Sequence, residues 1–299
     1  MKKLIAIDDL SRKEMDRILH EAQKLISQPR PDLLKGLILA TCFFEPSTRT
    51  RISFETAMLK SGGSVVGFSD ASTTSSKKGE SLSDTIRVMS SYADILVIRH
   101  PQEGSACIAA DASTKPVINA GDGSNQHPTQ TLVDLFSILA CQQTIDSLHI
   151  ALAGDLKFGR AAHSLALALA NYDVHLHFIS PESFSLPQSI QHELEKTKVP
   201  YSFHTCLNAA LPKIDVLYMT RIQKERFPHD CHYENIDAFR LLKQDLDGVK
   251  PNFKVLHPLP RIDEIEKTID TTHFAYYFEQ AAYGVPVRMA LMGLLLGKL

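Results

Sequence analysis

Near the start of the chain, apolar positions recur at helical spacing: Met15, Ile18, Leu19, Ala22, Leu25 and Ile26. That 3.6-residue period predicts an amphipathic helix. Ser11 and Glu14 in front of it form a capping box, in which each side chain can satisfy a backbone N–H left free at a helix start. After the break at Pro29 and Pro31 the pattern changes. Short apolar runs at 37–44, 64–68, 95–98, 117–119, 149–153, 174–179, 216–219 and 254–256 alternate with helical patterns. Runs that short and that apolar suit strands covered on both faces, so the chain predicts parallel sheets flanked by helices. Half of the runs precede residue 120 and half follow 148, which predicts two α/β domains, joined through a helix over 128–141 with the boundary near 140. A last segment, 285–296, is apolar nearly all round with Arg288 as its one charge, and predicts a buried helix.

The polar residues collect where strands end. Phe44 leads into Glu45-Pro-Ser-Thr-Arg-Thr-Arg51, Ile98 into Arg99-His100-Pro101, and Asn119 into a turn that ends in His127-Pro128. In the second half Ala153 leads into Gly154-Asp155 with Arg160, Met219 into Thr220-Arg221-Ile-Gln223, and Leu256 into His257-Pro-Leu-Pro260. Open α/β sheets bind ligands outside the carboxyl ends of their strands, so these six turns are candidates to line one crevice.

Composition narrows the classes. The 299 residues include 32 Lys+Arg and 34 Asp+Glu, a net charge of −2. That balance leaves no basic footprint for nucleic acid and no polybasic face for a membrane. No run approaches the roughly 18–20 apolar residues of a membrane span. The first residues meet Asp8 and Asp9 before any signal-peptide core develops, so the expected location is cytoplasmic. Cys42, Cys107, Cys141, Cys206 and Cys231 are scattered with no C-x-x-C spacing, which predicts free thiols and no metal site.

Chemistry concentrates first in Ser47, Thr48, Arg49, Thr50 and Arg51, between a buried strand and a helix. Hydroxyls and guanidinium groups at a helix N-terminus suit a phosphate dianion. A plain cap explains one hydroxyl of that set but not the arginines. Arg99 reads equally as ligand or surface charge. His127 and Gln130 lie three apart on one helix face and can bond a small polar group, although a lone histidine is often structural. The stretch 72–80, which holds Thr74 and Lys78, reads on composition as a solvated polar loop. Arg160 and Arg221 with Gln223 suit a small dicarboxylate, because arginine binds carboxylates through two parallel bonds. The backbone carbonyls of Leu259 and Pro260 can accept from an amine or NH₂. Gly154 to Arg160 fails the phosphate-loop signature at its Lys-Ser/Thr end, and no hydrolase elbow or Cys–His pair is legible. With no protein nucleophile, the set fits a group transfer in which the substrate brings its own nucleophile and the protein orients and stabilises charge.

These motifs resemble the aspartate branch of the aspartate/ornithine carbamoyltransferase family over essentially the whole chain. The resemblance is carried by Phe44-Glu-Pro-Ser-Thr-Arg-Thr-Arg51, Lys77-Lys-Gly-Glu80, Arg99-His-Pro-Gln-Glu-Gly104 and Asn125-Gln-His-Pro-Thr-Gln130. Further on it rests on Gly154-Asp-Leu-Lys-Phe-Gly-Arg160, Met219-Thr-Arg-Ile-Gln-Lys-Glu-Arg226 and His257-Pro-Leu-Pro260. It implies two α/β domains: a carbamoyl-phosphate domain, 1–140, to which a C-terminal helix over 285–299 returns, and an aspartate domain, 141–284. It implies transfer of a carbamoyl group from carbamoyl phosphate to L-aspartate, a step of pyrimidine biosynthesis, without metal or organic cofactor. By motif, Ser47, Thr48, Arg49 and Thr50 take the phosphate, while Thr50, Arg99 and His127 polarise the carbamoyl oxygen. Gln130 with the Leu259 and Pro260 carbonyls holds the NH₂, and Arg160, Arg221 and Gln223 receive the aspartate carboxylates. It further implies a homotrimer with shared sites, Lys78 reaching into a neighbour. The hydroxyl four positions earlier is Thr74 where relatives have serine, with Ser75 adjacent. Residues 228–233 also depart from the enterobacterial pattern, with His232 in place of a glutamate, which leaves pairing with a zinc-bearing regulatory chain open. The alternatives are transfer to another amine, such as ornithine, or a catalytically silent subunit that binds carbamoyl phosphate.

Overall fold

The computed structural model describes residues 3–221 and 239–299. The chain forms two compact units, Met1–Val133 with Tyr283–Leu299, and Asp134–Ala282.

The first unit holds a five-stranded parallel sheet. Its strands are β1 (Lys3–Leu4), β2 (Ile38–Phe43), β3 (Ser64–Phe68), β4 (Ile95–His100) and β5 (Val117–Asp122), in spatial order β1-β5-β4-β2-β3. The helices α1 (Arg12–Ser27), α2 (Thr48–Lys60), α3 (Leu82–Tyr92) and α4 (Ser105–Ala112) connect or flank these strands. α5 (Pro128–Gln142) starts in this unit and ends in the next.

Strand side chains alternate across the sheet, and in the central strands β2, β4 and β5 both sets are buried. Ala40, Cys42, Leu96, Ile98 and Val117 pack on one face with Ile86, Ala106 and Ala109 of α3 and α4. Leu39, Phe43, Ile95, Val97 and Ile118 are buried on the other. In α1 the Ser11–Glu14 capping box is formed. Met15, Ile18, Leu19, Ala22 and Leu25 are buried, whereas Ile26, in the last turn, is exposed.

The second unit repeats the plan. The strands β6 (Leu148–Ala153), β7 (Val174–Ile179), β8 (Tyr201–His204), β9 (Val216–Met219) and β10 (Lys254–Leu256) form a parallel sheet ordered β10-β9-β6-β7-β8. α6 (Arg160–Leu169) follows β6, and α7 (Gln188–Thr197) precedes β8. One face buries Ala151, Ala153, Ile179, Leu217, Met219 and Val255 against Leu207, Ala210, Leu211 and Ile214.

α8 (Tyr277–Leu295) begins eight residues before the apolar stretch that predicted it and then returns to the first unit. Its Arg288 is buried, with the guanidinium carbon 4.8 Å from the centre of the Phe54 ring. A Cβ at Gly284 would stand 2.3 Å from Arg288 Nη1, so the absent side chain one turn earlier makes the room.

The two strands absent from the sequence reading, β1 and β8, are edge strands. One has two residues and the other is only partly buried, so neither carries a clear apolar run. Conversely, β4 and β5 run on through Arg99-His100 and Gly121-Asp122, polar residues that read as turn. Among the described residues, no helix is long and apolar enough to cross a membrane. Cys42, Cys107, Cys141 and Cys206 are free thiols, and Cys231 lies outside the described residues.

Candidate active site

In the first unit, β5, β4 and β2 are neighbours, and all run the same way. Their carboxyl ends therefore place 44–50, 99–101 and 121–128 side by side. Phe43 pairs with Arg99, and the Phe44 N–H donates to the Arg99 carbonyl at 2.8 Å. His100 pairs with Asp122 past an irregularity in the ladder.

Ser47 precedes α2 with extended backbone, but its side chain makes no capping hydrogen bond. Its hydroxyl and the first N–H groups of α2 are thus oriented as a helix start that has not closed on itself. Thr48 and Arg49 are exposed there, and Thr50, one residue further, is buried. Arg51 behaves differently. Its Nη1 lies 3.0 Å from Glu55 Oε1, which also accepts from Thr41 Oγ1, so this second arginine is committed to its own helix.

Arg99 is held from two sides. Its Nε lies 2.7 Å from Glu45 Oε1, and its Nη1 donates to the Ala120 carbonyl at 3.3 Å. The turn that carries His127 is organised by Asp122, which is almost fully buried. Asp122 Oδ1 accepts from Asn119 Nδ2 and the Gln126 N–H, and Oδ2 from the Gly104 N–H and Asn125 Nδ2. His127 is itself buried just ahead of α5, with Nδ1 3.5 Å from Thr129 Oγ1. Gln130 follows on the first turn, its N–H bonded to the His127 carbonyl. The loop after the edge strand β3 forms two short 3₁₀ turns. In it Thr74 donates to the Ala71 carbonyl, and Lys78 is exposed.

In the second unit the neighbours β6, β9 and β10 bring the ends at 153, 219 and 256 together. The Thr220 N–H and Oγ1 both donate to the Ala153 carbonyl, at 2.8 and 2.9 Å. Gly154 has φ +109°, and a Cβ on it would come within 2.2 Å of the Thr220 carbonyl oxygen, so no other residue fits this approach. Buried Asp155 folds the turn by accepting from the Lys157 and Phe158 N–H groups. The turn delivers Arg160 as the first residue of α6. Arg221, half-buried, follows Thr220, while Gln223 and the stretch 228–233 lie outside the described residues. The Leu259–Pro260 peptide is cis, with Leu259 at φ +52°.

The site residues of the first unit other than Thr74 and Lys78 thus sit on adjoining strand ends or the helices that follow. The same holds for Arg160, Arg221, Leu259 and Pro260 in the second. Sequence reasoning missed the residues that hold them: Glu45, Asp122 and Glu264. No local spacing marks the partner of any of them: Glu45 lies in a turn, Asp122 ends β5, and Glu264 accepts from His257 Nε2 and the Ile262 N–H. Among the described residues, no three His, Cys, Asp or Glu side chains converge as metal ligands.

Known proteins account for this arrangement. Residues 2–140 match the model of the aspartate/ornithine carbamoyltransferase carbamoyl-P binding domain, and 146–295 match that of the Asp/Orn binding domain. The aspartate carbamoyltransferase catalytic subunit of Chromobacterium violaceum is 50% identical over 298 residues, covering 99% of this chain and 98% of that one. The catalytic subunit of M. jannaschii aspartate transcarbamoylase superposes with a TM-score of 0.93 at 48% identity, covering 99% and 98%. The Trypanosoma cruzi aspartate transcarbamoylase solved with carbamoyl phosphate and aspartate gives a TM-score of 0.87 at 35% identity, covering 98% and 95%. By its sequence, its two sheets and its two matched domains, this chain belongs to the aspartate/ornithine carbamoyltransferase family.

Proposed function

We propose that the chain catalyses transfer of the carbamoyl group of carbamoyl phosphate to the amine of L-aspartate, giving N-carbamoyl-L-aspartate and phosphate. The C–N bond forms as the amine attacks the carbamoyl carbon, the bond from that carbon to the bridging phosphate oxygen breaks, and phosphate leaves with the electron pair and takes up the proton that the amine loses. No covalent enzyme intermediate is needed, so the protein contributes orientation and charge stabilisation. Ser47, Thr48, Arg49 and Thr50 with the N–H groups of α2 take the phosphate, whose negative charge suits a helix start. Thr50, Arg99 and His127 donate to the carbamoyl oxygen, which gains charge in the transition state. Gln130 and the Leu259 and Pro260 carbonyls hold the NH₂. Arg160, Arg221 and Gln223 receive the two carboxylates of aspartate, a role that an ornithine ammonium group would not reward.

The observation that carries this reading is the delivery of the Ser47 turn, Arg99 and His127 by three neighbouring parallel strands, with the Ser47 hydroxyl unused as a cap. The enzyme acts as a cytoplasmic homotrimer whose Thr74–Lys78 loop completes a neighbour's site. Exposed Ile52 and Leu59 on α2 and Val66 on the edge strand β3 support a self-association face on this unit. Pairing with a regulatory chain is a further option for that assembly.

The test is carbamoyl transfer by the purified chain alone, with L-aspartate and L-ornithine in parallel. Aspartate-dependent product is expected. Product with ornithine alone, or none from a folded trimer, would overturn the reading.

A further inference from the structure

Leu259 and Pro260 leave β10 in a turn that is tied together by buried polar side chains, all within the second unit. The Leu259 N–H donates to His257 Nδ1 at 2.8 Å. Nδ1 is therefore an acceptor, which places the ring proton on Nε2. Nε2 donates to Glu264 Oε1 at 2.6 Å, and Glu264 Oε2 accepts from the Ile262 and Asp263 N–H groups at 3.0 and 3.1 Å. One imidazole and one carboxylate thus close the turn at its two ends. Burial pushes the Glu264 carboxyl up, but the bond from His257 and the backbone donors outweigh it and hold it down at about 2.

The tie continues inward. The His257 N–H donates to Gln280 Oε1 at 2.7 Å, Gln280 Nε2 donates to Asp134 Oδ1 at 2.7 Å, and the Tyr218 hydroxyl donates to Asp134 Oδ2 at 2.8 Å. His257 is 2% exposed, Glu264 9% and Gln280 1%. Burying such groups is costly unless every one is bonded, and an apolar plug would fill the same space at less cost. What a bonded chain adds is direction, since each donor admits one acceptor and the imidazole one tautomer. Direction is needed here because Leu259 holds φ +52°, a region that a leucine rarely occupies unaided.

We propose that His257, Glu264 and Gln280 are positioning residues that aim the Leu259 and Pro260 carbonyls at the carbamoyl NH₂, and so set the preference for a donor that carries an NH₂ over an acyl phosphate that lacks one. The proposal rests on the role given above to those two carbonyls. Acetyl phosphate is the probe, because a methyl replaces the NH₂. In Glu264→Gln the side-chain amide must turn its own N–H groups toward either the His257 Nε2–H or the Ile262 and Asp263 N–H groups, so donors face donors.

The experiment compares the KM for carbamoyl phosphate, the inhibition constant of acetyl phosphate and the KM for aspartate in wild type, Glu264→Gln and Gln280→Met. Circular dichroism and sedimentation check that each variant is folded and assembled. Gln280→Met removes the acceptor for the His257 N–H and the donor to Asp134 Oδ1 while keeping the His257–Glu264 bond, and serves if Glu264→Gln does not fold. The expected result is that carbamoyl phosphate loses about tenfold of its advantage over acetyl phosphate, with aspartate KM within about twofold of wild type. A folded variant that keeps the wild-type donor preference while losing thermal stability would overturn the proposal and leave a structural role. A wild type that binds the two donors equally would instead remove the role of the carbonyls themselves.

Discussion

Arg49 and Arg51 stand two residues apart in one motif, yet Arg51 is paired with Glu55 on its own helix while Arg49 lies exposed at the open start of α2. The anion-binding charge of the turn therefore falls on Arg49. A charge-assisted hydrogen bond contributes about 1.5–3 kcal/mol, so Arg49→Ala is expected to lower kcat/KM for carbamoyl phosphate by roughly 10–100-fold. Steady-state kinetics with carbamoyl phosphate varied would measure it, and activity near wild type would remove Arg49 from the phosphate site. The motif made Ser47, Thr48, Arg49 and Thr50 legible because the chemistry is local, in consecutive residues between a strand and a helix. Glu45, which pins Arg99, was not legible, because its partner comes from a strand more than fifty residues later.

At the scale of elements, the second sheet carries a feature unrelated to the candidate site. His149 on β6, His175 and His177 on β7, and Ser202 and His204 on β8 share one face, with His149 opposite His175 and Ser202 opposite His177 in the register. His149 Nδ1 lies 3.0 Å from His177 Nε2, and His177 Nδ1 lies 3.1 Å from His204 Nε2 and 3.0 Å from Ser202 Oγ. Neutral rings satisfy this array by each giving one N–H and accepting at the other nitrogen, whereas an added proton sets donor against donor. Lys213 lies close enough to disfavour a further positive charge, and the Asp215 carboxylate is bonded to the His149 backbone N–H. Burial, then the neighbouring histidines and Lys213, lowers His177 to about 4. Because the folded value lies below the ordinary one near 6.5, the unfolded chain takes up protons first as pH falls. The stabilisation is full above about pH 6.5 and fades toward pH 4, with a loss of about 1–3 kcal/mol expected from the array. Urea unfolding across that range should show it. His163 is lowered by burial and adds to the same window, so His177→Gln is the control. That variant should flatten the pH dependence, and an unchanged slope would dismiss the array as its source.

For the whole molecule, the polar loop at 70–80 raises the question of whether one chain makes a complete site. Lys78 stands exposed on a loop that follows the edge strand β3, which itself carries exposed Val66. If sites are shared, mixing the impaired Lys78→Ala and Arg49→Ala subunits should restore part of the activity, since some sites then draw both the cradle and the lysine from unsubstituted positions. No recovery in mixed trimers verified by sedimentation would argue for self-contained sites.

Local chemistry made several features readable from residue order alone. The amphipathic face of α1 and its cap, the apolar strands of both sheets and the hydroxyl–arginine turn each depend on residues a few positions apart. Their physics is periodicity, capping and helix-end charge, which act over single turns. The tertiary structure decided what depends on residues distant in sequence. It chose the strand order that makes the ends of β2, β4 and β5 neighbours, and it assigned Arg51 to Glu55 and Arg99 to Glu45. It also recruited Asp134, Tyr218 and Gln280 to the turn at His257. Hydrogen bonds require partners within about 3 Å and in line, and chain order does not state which distant residue will meet that condition.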